Sequence, residues 1–331
     1  MNGDAGRIVP LGGADIAARV LRRYDPGTRR LTLDRTGPFW DAVRLAWWRG
    51  ETGEGRTVAI IDDGFDPDAF PPGALAWPNP DPARTTHGTA VALLVGAVAP
   101  AARLVLVPTA YAPDRMADAF ARAANERGAI VNLSFGIGSP LADVFDPLAW
   151  QRAERATADW RPGPDDDTHS FWALSRAARR GNWRNLLDRL PRSDLTAPAE
   201  ALAASGATVV AAAGNHRRRI FTPTASPAVF AAGFFGTGRR TTPDGVEIAS
   251  STPGTSRQSL CVDLSLPRAI PGVGTSFAAP LFAGFAALMD RPADLSAYAR
   301  MGWFAAMADS LMGDLRSGRG PKARSRPSRR S

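Results

Sequence analysis

A chain of 331 residues with 44% apolar content has ample material for a core, and its formal net charge of +8 would mark a nucleic-acid binder if spread over the fold. It is not spread: residues 313–331 carry seven Lys/Arg against one Asp, which leaves the remaining body near +2 and excludes a broad basic face. A single cysteine, Cys261, excludes an internal disulfide, and the longest apolar run, Ala90 to Ala99, is too short to span a bilayer.

Met1 to Arg7 lacks the apolar core of a secretory signal, so the expectation is a soluble, cytoplasmic protein without membrane contact. Residues 1–40 hold a short apolar run (Ile8 to Leu11), a helical pattern (Ala14 to Tyr24) and an alternating run (Arg30 to Asp34), punctuated by Asp25-Pro26-Gly27. That is too little for a separate core, so 1–40 reads as an N-terminal extension packed on the main body, 41–312. Trp47-Trp48 and a Gly-containing stretch, 50–55, lead into Thr57 to Ile61. This β-branched run has the pattern of a strand buried on both faces, with Asp62-Asp63-Gly64 at its carboxyl end.

His87-Gly88-Thr89 opens a buried helix, Ala90 to Val98. Leu104 to Val107 reads as a strand, Asp114 to Asn125 as an amphipathic helix, and Ala129 to Leu133 as a strand that ends on Ser134-Phe135-Gly136. Further on, Pro198 to Ala204 is helical. Thr208 to Ala212 is a strand closed by Ala213-Gly214-Asn215-His216, Val229 to Phe235 is another strand, and Leu295 to Leu311 is a last helix. Strands alternating with helices predict an α/β fold: a doubly wound, mostly parallel sheet flanked by helices on both faces. Two stretches break the rhythm. Residues 139–197 contain Trp150, Trp160, Trp172 and Trp183, an acidic run at Asp165-Asp166-Asp167 and amphipathic helical segments, and read as a helical insertion. Residues 313–331 are rich in Arg, Ser, Gly and Pro and read as a disordered basic tail.

Val273-Gly274-Thr275-Ser276 is a tight turn running into an apolar helix, Phe277 to Met289, with Pro280 in the tolerant first turn. Ser276 then sits among unpaired helix N–H groups, where a serine nucleophile finds donors for an oxyanion. A plain N-cap is the alternative for Ser276, a turn residue for Asp62 and a structural histidine for His87. Taken together, strand ends present Asp62, Ser134 to Gly136, Asn215 and Ser276, with His87 opening the helix after the first strand. Those are an acid, a base, a nucleophile and an amide donor, each supplied once.

The local sequences resemble the subtilisin-like serine proteases (subtilases) block by block. The blocks are Val58 to Gly64, His87 to Ala92, Val131 to Gly136, Val210 to Asn215 and Gly274 to Pro280. The likeness covers roughly 45–138 and 198–290, in the Asp, His, Ser order of subtilisin. The resemblance implies a serine endopeptidase in which Ser276 attacks, His87 moves the proton and Asp62 orients His87. Asn215 and the Ser276 N–H hold the oxyanion. Ser134, Phe135 and Gly136 would bind the substrate backbone as an added strand, beside Ala212, Ala213 and Gly214. Asp62 rather than Asp63 takes the acid role because it directly follows the strand.

No cofactor is implied. Many subtilases bind structural calcium, for which Asp63, Asp66, Asp68 and Asp81 offer oxygen ligands. Leu93 stands where the family usually has Gly, and no inhibitory prodomain of the usual size precedes the body. The implied partner is a peptide or protein substrate. The insertion at 139–197 offers a lid or an exosite for a protein partner, or is a surface hairpin with its own Trp core. His216-Arg217-Arg218-Arg219 favours acidic substrate side chains or is a solvated loop, and Phe221 narrows the pocket toward small side chains. A catalytically inactive interaction protein of the same fold is the alternative function. Nucleic acid contact would be limited to non-specific binding by the tail.

Overall fold

The computed structural model describes most of residues 17–140, together with 195–214, most of 219–235, 259–263 and 274–289, and the short pairs 9–10, 240–241 and 247–248. Most of the predicted insertion (141–194), the predicted helix Leu295 to Leu311 and the basic tail lie outside these residues.

The central sheet is built from β4 (Thr57–Asp62), β5 (Arg103–Pro108), β6 (Ile130–Leu133), β8 (Thr208–Ala212), β10 (Phe230–Phe235) and β13 (Ser259–Asp263). Its order is β13-β10-β8-β6-β4-β5, and every adjacent pair is parallel. The β-branched runs of β4, β6 and β8 lie in the middle because both their faces are covered. Residues alternate between two cores. Val58, Ile60 and Val210 pack on one side, while Ala59, Ile61 and Val209 pack on the other.

The first core is closed by α2 (Thr86–Val98) and α5 (Thr275–Ala287), both strongly apolar along their length. The two helices pack closely at Gly284, where a Cβ would stand 2.8 Å from Val98 Cβ. The second core is closed by α3 (Pro113–Ala124) and α4 (Thr196–Ala204). An amphipathic helix not anticipated from sequence, α1 (Pro38–Trp48), lays Phe39, Trp40, Val43 and Ala46 on the first core. Phe39 meets Phe282 and Phe285 of α5 at 5.7 Å. The Trp47 Nε1–H donates to the Val98 carbonyl at 2.9 Å, satisfying a carbonyl that the end of α2 leaves free. Ala17, Val20 and Leu31 from residues 1–40 join the same core, beside the two-stranded ribbon of β2 (Tyr24–Asp25) and β3 (Arg30–Leu31).

Two features position the site. The chain leaves β4 for β5 on one side and comes back to β6 on the other, so its winding reverses at β4. In open α/β sheets, such a reversal opens a crevice at the carboxyl ends of the strands. The second feature is a small antiparallel sheet at those ends, in the order β1-β7-β9, made of β1 (Val9–Pro10), β7 (Phe135–Pro140) and β9 (Arg219–Thr222). A further ribbon pairs β11 (Arg240–Thr241) with β12 (Glu247–Ile248). The described ends of the predicted insertion are therefore ordered elements, since Ser139 and Pro140 finish β7 and Thr196 opens α4. Among the described residues no helix is long and apolar enough to cross a membrane.

Candidate active site

Asp62 ends β4 at the winding reversal and is fully buried. His87 is the second residue of α2, also buried, and its Nδ1 lies 2.8 Å from Asp62 Oδ1. Gly88 makes this approach feasible. A Cβ there would meet the Gly64 carbonyl oxygen at 2.3 Å and Asp62 Cβ at 3.0 Å, so only glycine lets the first turn of α2 rest against the end of β4.

Three donors converge on Asp62 Oδ1: His87 Nδ1–H, the Asp63 backbone N–H at 2.8 Å and the Tyr111 hydroxyl at 2.6 Å. Asp62 Oδ2 and His87 Nε2 are buried and without a hydrogen-bond partner among the described residues. Burial pushes the Asp62 carboxyl up. The charge and hydrogen bond of His87, with the Tyr111 and Asp63 donors, outweigh that and hold it below the ordinary aspartate value. For His87, burial works against the imidazolium, but Asp62 beside it and Asp63 nearby leave its pKa raised. The Asp63 carboxyl, buried and next to Asp62, is pushed up to about 7.

Ser276 is the second residue of α5 and is buried. Its Oγ–H donates to the Ser134 carbonyl at 2.8 Å, and the Ser134 hydroxyl donates back to the Ser276 carbonyl at 2.9 Å. The neighbouring Phe277 ring sits 5.9 Å from the His87 ring, so α5 presents its first turn to the imidazole. The fold thus joins Asp62 to His87 and Ser276 to Ser134, and the Ser276 hydroxyl is engaged with Ser134 rather than with His87.

Of the residues expected to bind substrate, Ser134 is buried at the junction of β6 and β7, and Phe135 and Gly136 open β7. Their edge is already paired: Val9 lies opposite Gly136 and Pro10 opposite Phe135, antiparallel. Ala212 ends β8, Ala213 N–H donates to the Ala232 carbonyl at 2.8 Å, and Gly214 N–H donates to Thr275 Oγ1 at 3.0 Å. That last bond fixes the segment after β8 to the N-terminus of α5, one residue from Ser276. Asn215 and His216 to Arg218 lie outside the described residues, and Phe221 is described in its backbone alone, as part of β9.

Among the described residues, the four aspartates considered for calcium do not gather into one group of side chains. Asp63 Oδ1 accepts from Gly64 N–H and Gly88 N–H, Asp66 Oδ1 from Asp68 N–H, and Asp81 Oδ1 from Ala83 N–H. Among the described residues, the only three His, Cys, Asp or Glu side chains close enough to share an ion are Asp62, Asp63 and His87, within 4.8 Å. Of their atoms, Asp62 Oδ1, His87 Nδ1 and Asp63 Oδ1 are engaged with one another, with Tyr111 or with the backbone. Tyr111 was not anticipated from sequence, because no local pattern marks the turn that carries it.

The subtilase family model matches residues 53–303. No curated protein matches the chain. Matching solved structures include MycP1 with its N-terminal propeptide removed, 21% identical over 75% of this chain and 82% of that one, with a TM-score of 0.40. Another structure of MycP1, a serine protease described as an essential component of the type VII (ESX-1) secretion system, is 20% identical. It covers 80% of this chain and 82% of that one, with a TM-score of 0.41.

Proposed function

This chain belongs to the subtilase family of serine-type peptidases, and from that premise we propose that its chemistry runs through Asp62, His87 and Ser276. The observation that carries the reading is the buried Asp62–His87 hydrogen bond at the winding reversal, 2.8 Å long, with His87 Nε2 left over to serve as a base.

In this reading the Ser276 side chain turns from the Ser134 carbonyl to His87 Nε2 when substrate arrives. Ser276 Oγ attacks the scissile carbonyl as His87 takes its proton. The tetrahedral oxyanion is held by the Ser276 backbone N–H, which has no acceptor within the helix at the second position of α5, and by the Asn215 amide. Collapse breaks the C–N bond, the amine leaves with the proton from His87, and an acyl group stays on Ser276. Water, deprotonated by His87, then attacks the acyl carbon and restores the serine. Asp62 stays ionised throughout and steadies the imidazolium. The steps need no metal or cofactor.

The substrate is a peptide or protein whose backbone adds to the Ser134–Gly136 edge, with Ala212 to Gly214 on the other wall. That edge is the one β1 pairs with, so substrate and β1 compete for it. We read 41–312 as the peptidase domain, 1–40 as an extension that wraps it, 139–197 as a partner-binding insertion and 313–331 as a tail. A cytoplasmic setting belongs to the same proposal, on the single unpaired Cys261.

The test is covalent labelling by a fluorophosphonate probe. Labelling of the wild type that is lost in Ser276→Ala, with kcat on a peptide down by about 10⁴-fold or more, is the expected result. A folded wild type that takes no label would instead leave an inactive interaction protein of this fold.

A further inference from the structure

Tyr111 occupies a turn built on the catalytic strand. After β5, Thr109 N–H and Thr109 Oγ1–H both donate to the Asp62 carbonyl, at 2.8 and 2.9 Å. Ala110 N–H donates to the Asp63 carbonyl at 2.7 Å, and Tyr111 N–H to Thr109 Oγ1 at 3.1 Å. Ala110 and Tyr111 have φ of 50° and 56°, a left-handed conformation that two successive non-glycine residues adopt only when their surroundings impose it. The Tyr111 ring rests on Phe135 at 5.3 Å, and its hydroxyl reaches Asp62 Oδ1 at 2.6 Å while standing 3.4 Å from His87 Nδ1.

We propose that Tyr111 is a positioning residue that shares Asp62 Oδ1 with His87, fixing that oxygen in line with Nδ1 while limiting the negative charge the imidazole meets there. The inference rests on the triad reading given above. Phenol and imidazole both donate to one oxygen, so each weakens the other's hold on it. Among the described residues the ionisable groups facing His87 are Asp62 and Asp63 at the end of β4 and Tyr111 after β5, whereas α5 brings the uncharged Phe277 ring. Burial and the two aspartates drive the Tyr111 phenol well above its ordinary value, so it remains a donor over the working pH range.

Tyr111→Phe removes the hydroxyl and keeps the ring on Phe135. Oδ1 then has one donor fewer, the imidazolium is better compensated, and His87 holds its proton to higher pH. The readout is the NMR titration of the His87 ring in the full chain, assigned with His87→Gln. It is repeated in Asp63→Asn, because Asp63 titrates near 7 and would blur the midpoint. The midpoint should rise by about half a unit to one unit in Tyr111→Phe, with the acid limb of kcat/KM moving alongside it and KM unchanged. Incorporation of 3-fluorotyrosine, a stronger donor, should move the midpoint the other way in the wild type and leave Tyr111→Phe unmoved. This second arm also decides the matter if the Phe variant does not fold. An unmoved or lowered midpoint in Tyr111→Phe, or no effect of fluorination, overturns the proposal. Because the titration needs no turnover, it is separable from a failure of the peptidase reading, which the fluorophosphonate label reports.

Discussion

Ser276 and Ser134, 142 positions apart, bind each other twice: hydroxyl to carbonyl at 2.8 Å one way and at 2.9 Å the other. The pair locks the N-terminus of α5 onto the junction of β6 and β7. Asn132 Nδ2 joins it by donating to Ser134 Oγ at 3.0 Å, so removal of that one hydroxyl strands two buried polar groups. Ser134→Ala should therefore lower the unfolding free energy by about 2–3 kcal/mol in a denaturant titration. It should leave the fluorophosphonate label in place, since the carbonyl that holds the Ser276 hydroxyl remains. A variant as stable as the wild type would show the reciprocal pair to be energetically idle.

Stability should also follow pH in a direction set by three buried groups, Asp62, Asp63 and His87. The raised values of Asp63 and His87 both mean that the folded chain binds protons more tightly than the unfolded one. For Asp63, stability falls as pH climbs from the ordinary 3.8 through about 7. The His87 contribution is complete below 6.5 and is lost as pH rises through its raised folded value. Asp62, lowered from 3.8, acts in the other sense: its contribution is present above that value and vanishes in acid. Stability should peak between these limits and decline through neutrality. Asp63→Asn, which keeps an oxygen for the Gly64 and Gly88 N–H groups, should be the more stable form at pH 8 and equal to the wild type near pH 4. Denaturant midpoints at the two pH values check this, and parallel curves for both proteins would refute the assignment of Asp63.

Two glycines of α2 should respond oppositely to the same substitution. Gly88→Ala drives a Cβ to 2.3 Å from the Gly64 carbonyl oxygen, backbone that cannot move aside cheaply. The turn of α2 must lift away from β4, and the Asp62–His87 bond must lengthen. A loss of about 1–3 kcal/mol and of most activity is expected. At Gly96, in the helix interior, a Cβ meets nothing within 4 Å. Gly96→Ala should stabilise by about 0.5–1 kcal/mol, since the only change is the gain in helix propensity. Thermal melts of the two variants give the comparison directly.

How far the sequence revealed these relationships depends on whether a signal is local. β4 was readable because a run such as Thr57–Asp62 between polar segments has only one way to be buried, and Asp62 followed from its place at the strand end. The His87-Gly88 pair was readable as a motif, but the reason for its glycine, contact with Gly64 and Asp62, appears only once α2 is set against β4. α1 is hard to read in the sequence because Trp47, Trp48 and Gly50 look like the approach to a turn, although Phe39, Trp40, Val43 and Ala46 carry a helical period. β13 (Ser259–Asp263) is a short run whose strand character comes from pairing with β10, which no local pattern encodes. Tyr111 is the extreme case. Its position depends on two left-handed residues, Ala110 held by the Asp63 carbonyl just past β4 and Tyr111 by the Thr109 hydroxyl, and nothing in Pro-Thr-Ala-Tyr announces it.

The pairing of β1 with β7 makes a prediction about residues far in sequence from Asp62, His87 and Ser276. Val9 and Pro10 run antiparallel to Gly136 and Phe135, on the edge to which an incoming peptide backbone would add. From Val9 to Pro10 the chain advances toward Ser134, whose carbonyl holds the Ser276 hydroxyl. In the proposed reading a substrate displaces β1 before it reaches Ser276, and that displacement weakens binding rather than chemistry. Deletion of residues 1–12 should lower KM for an extended peptide several-fold and leave kcat unchanged, because the triad and its neighbours are not touched. A synthetic peptide of the sequence Gly6 to Gly13 should then restore the higher apparent KM by competition. Equal KM values for the two chains, or a peptide that does not compete, would mean that substrate and β1 use different edges.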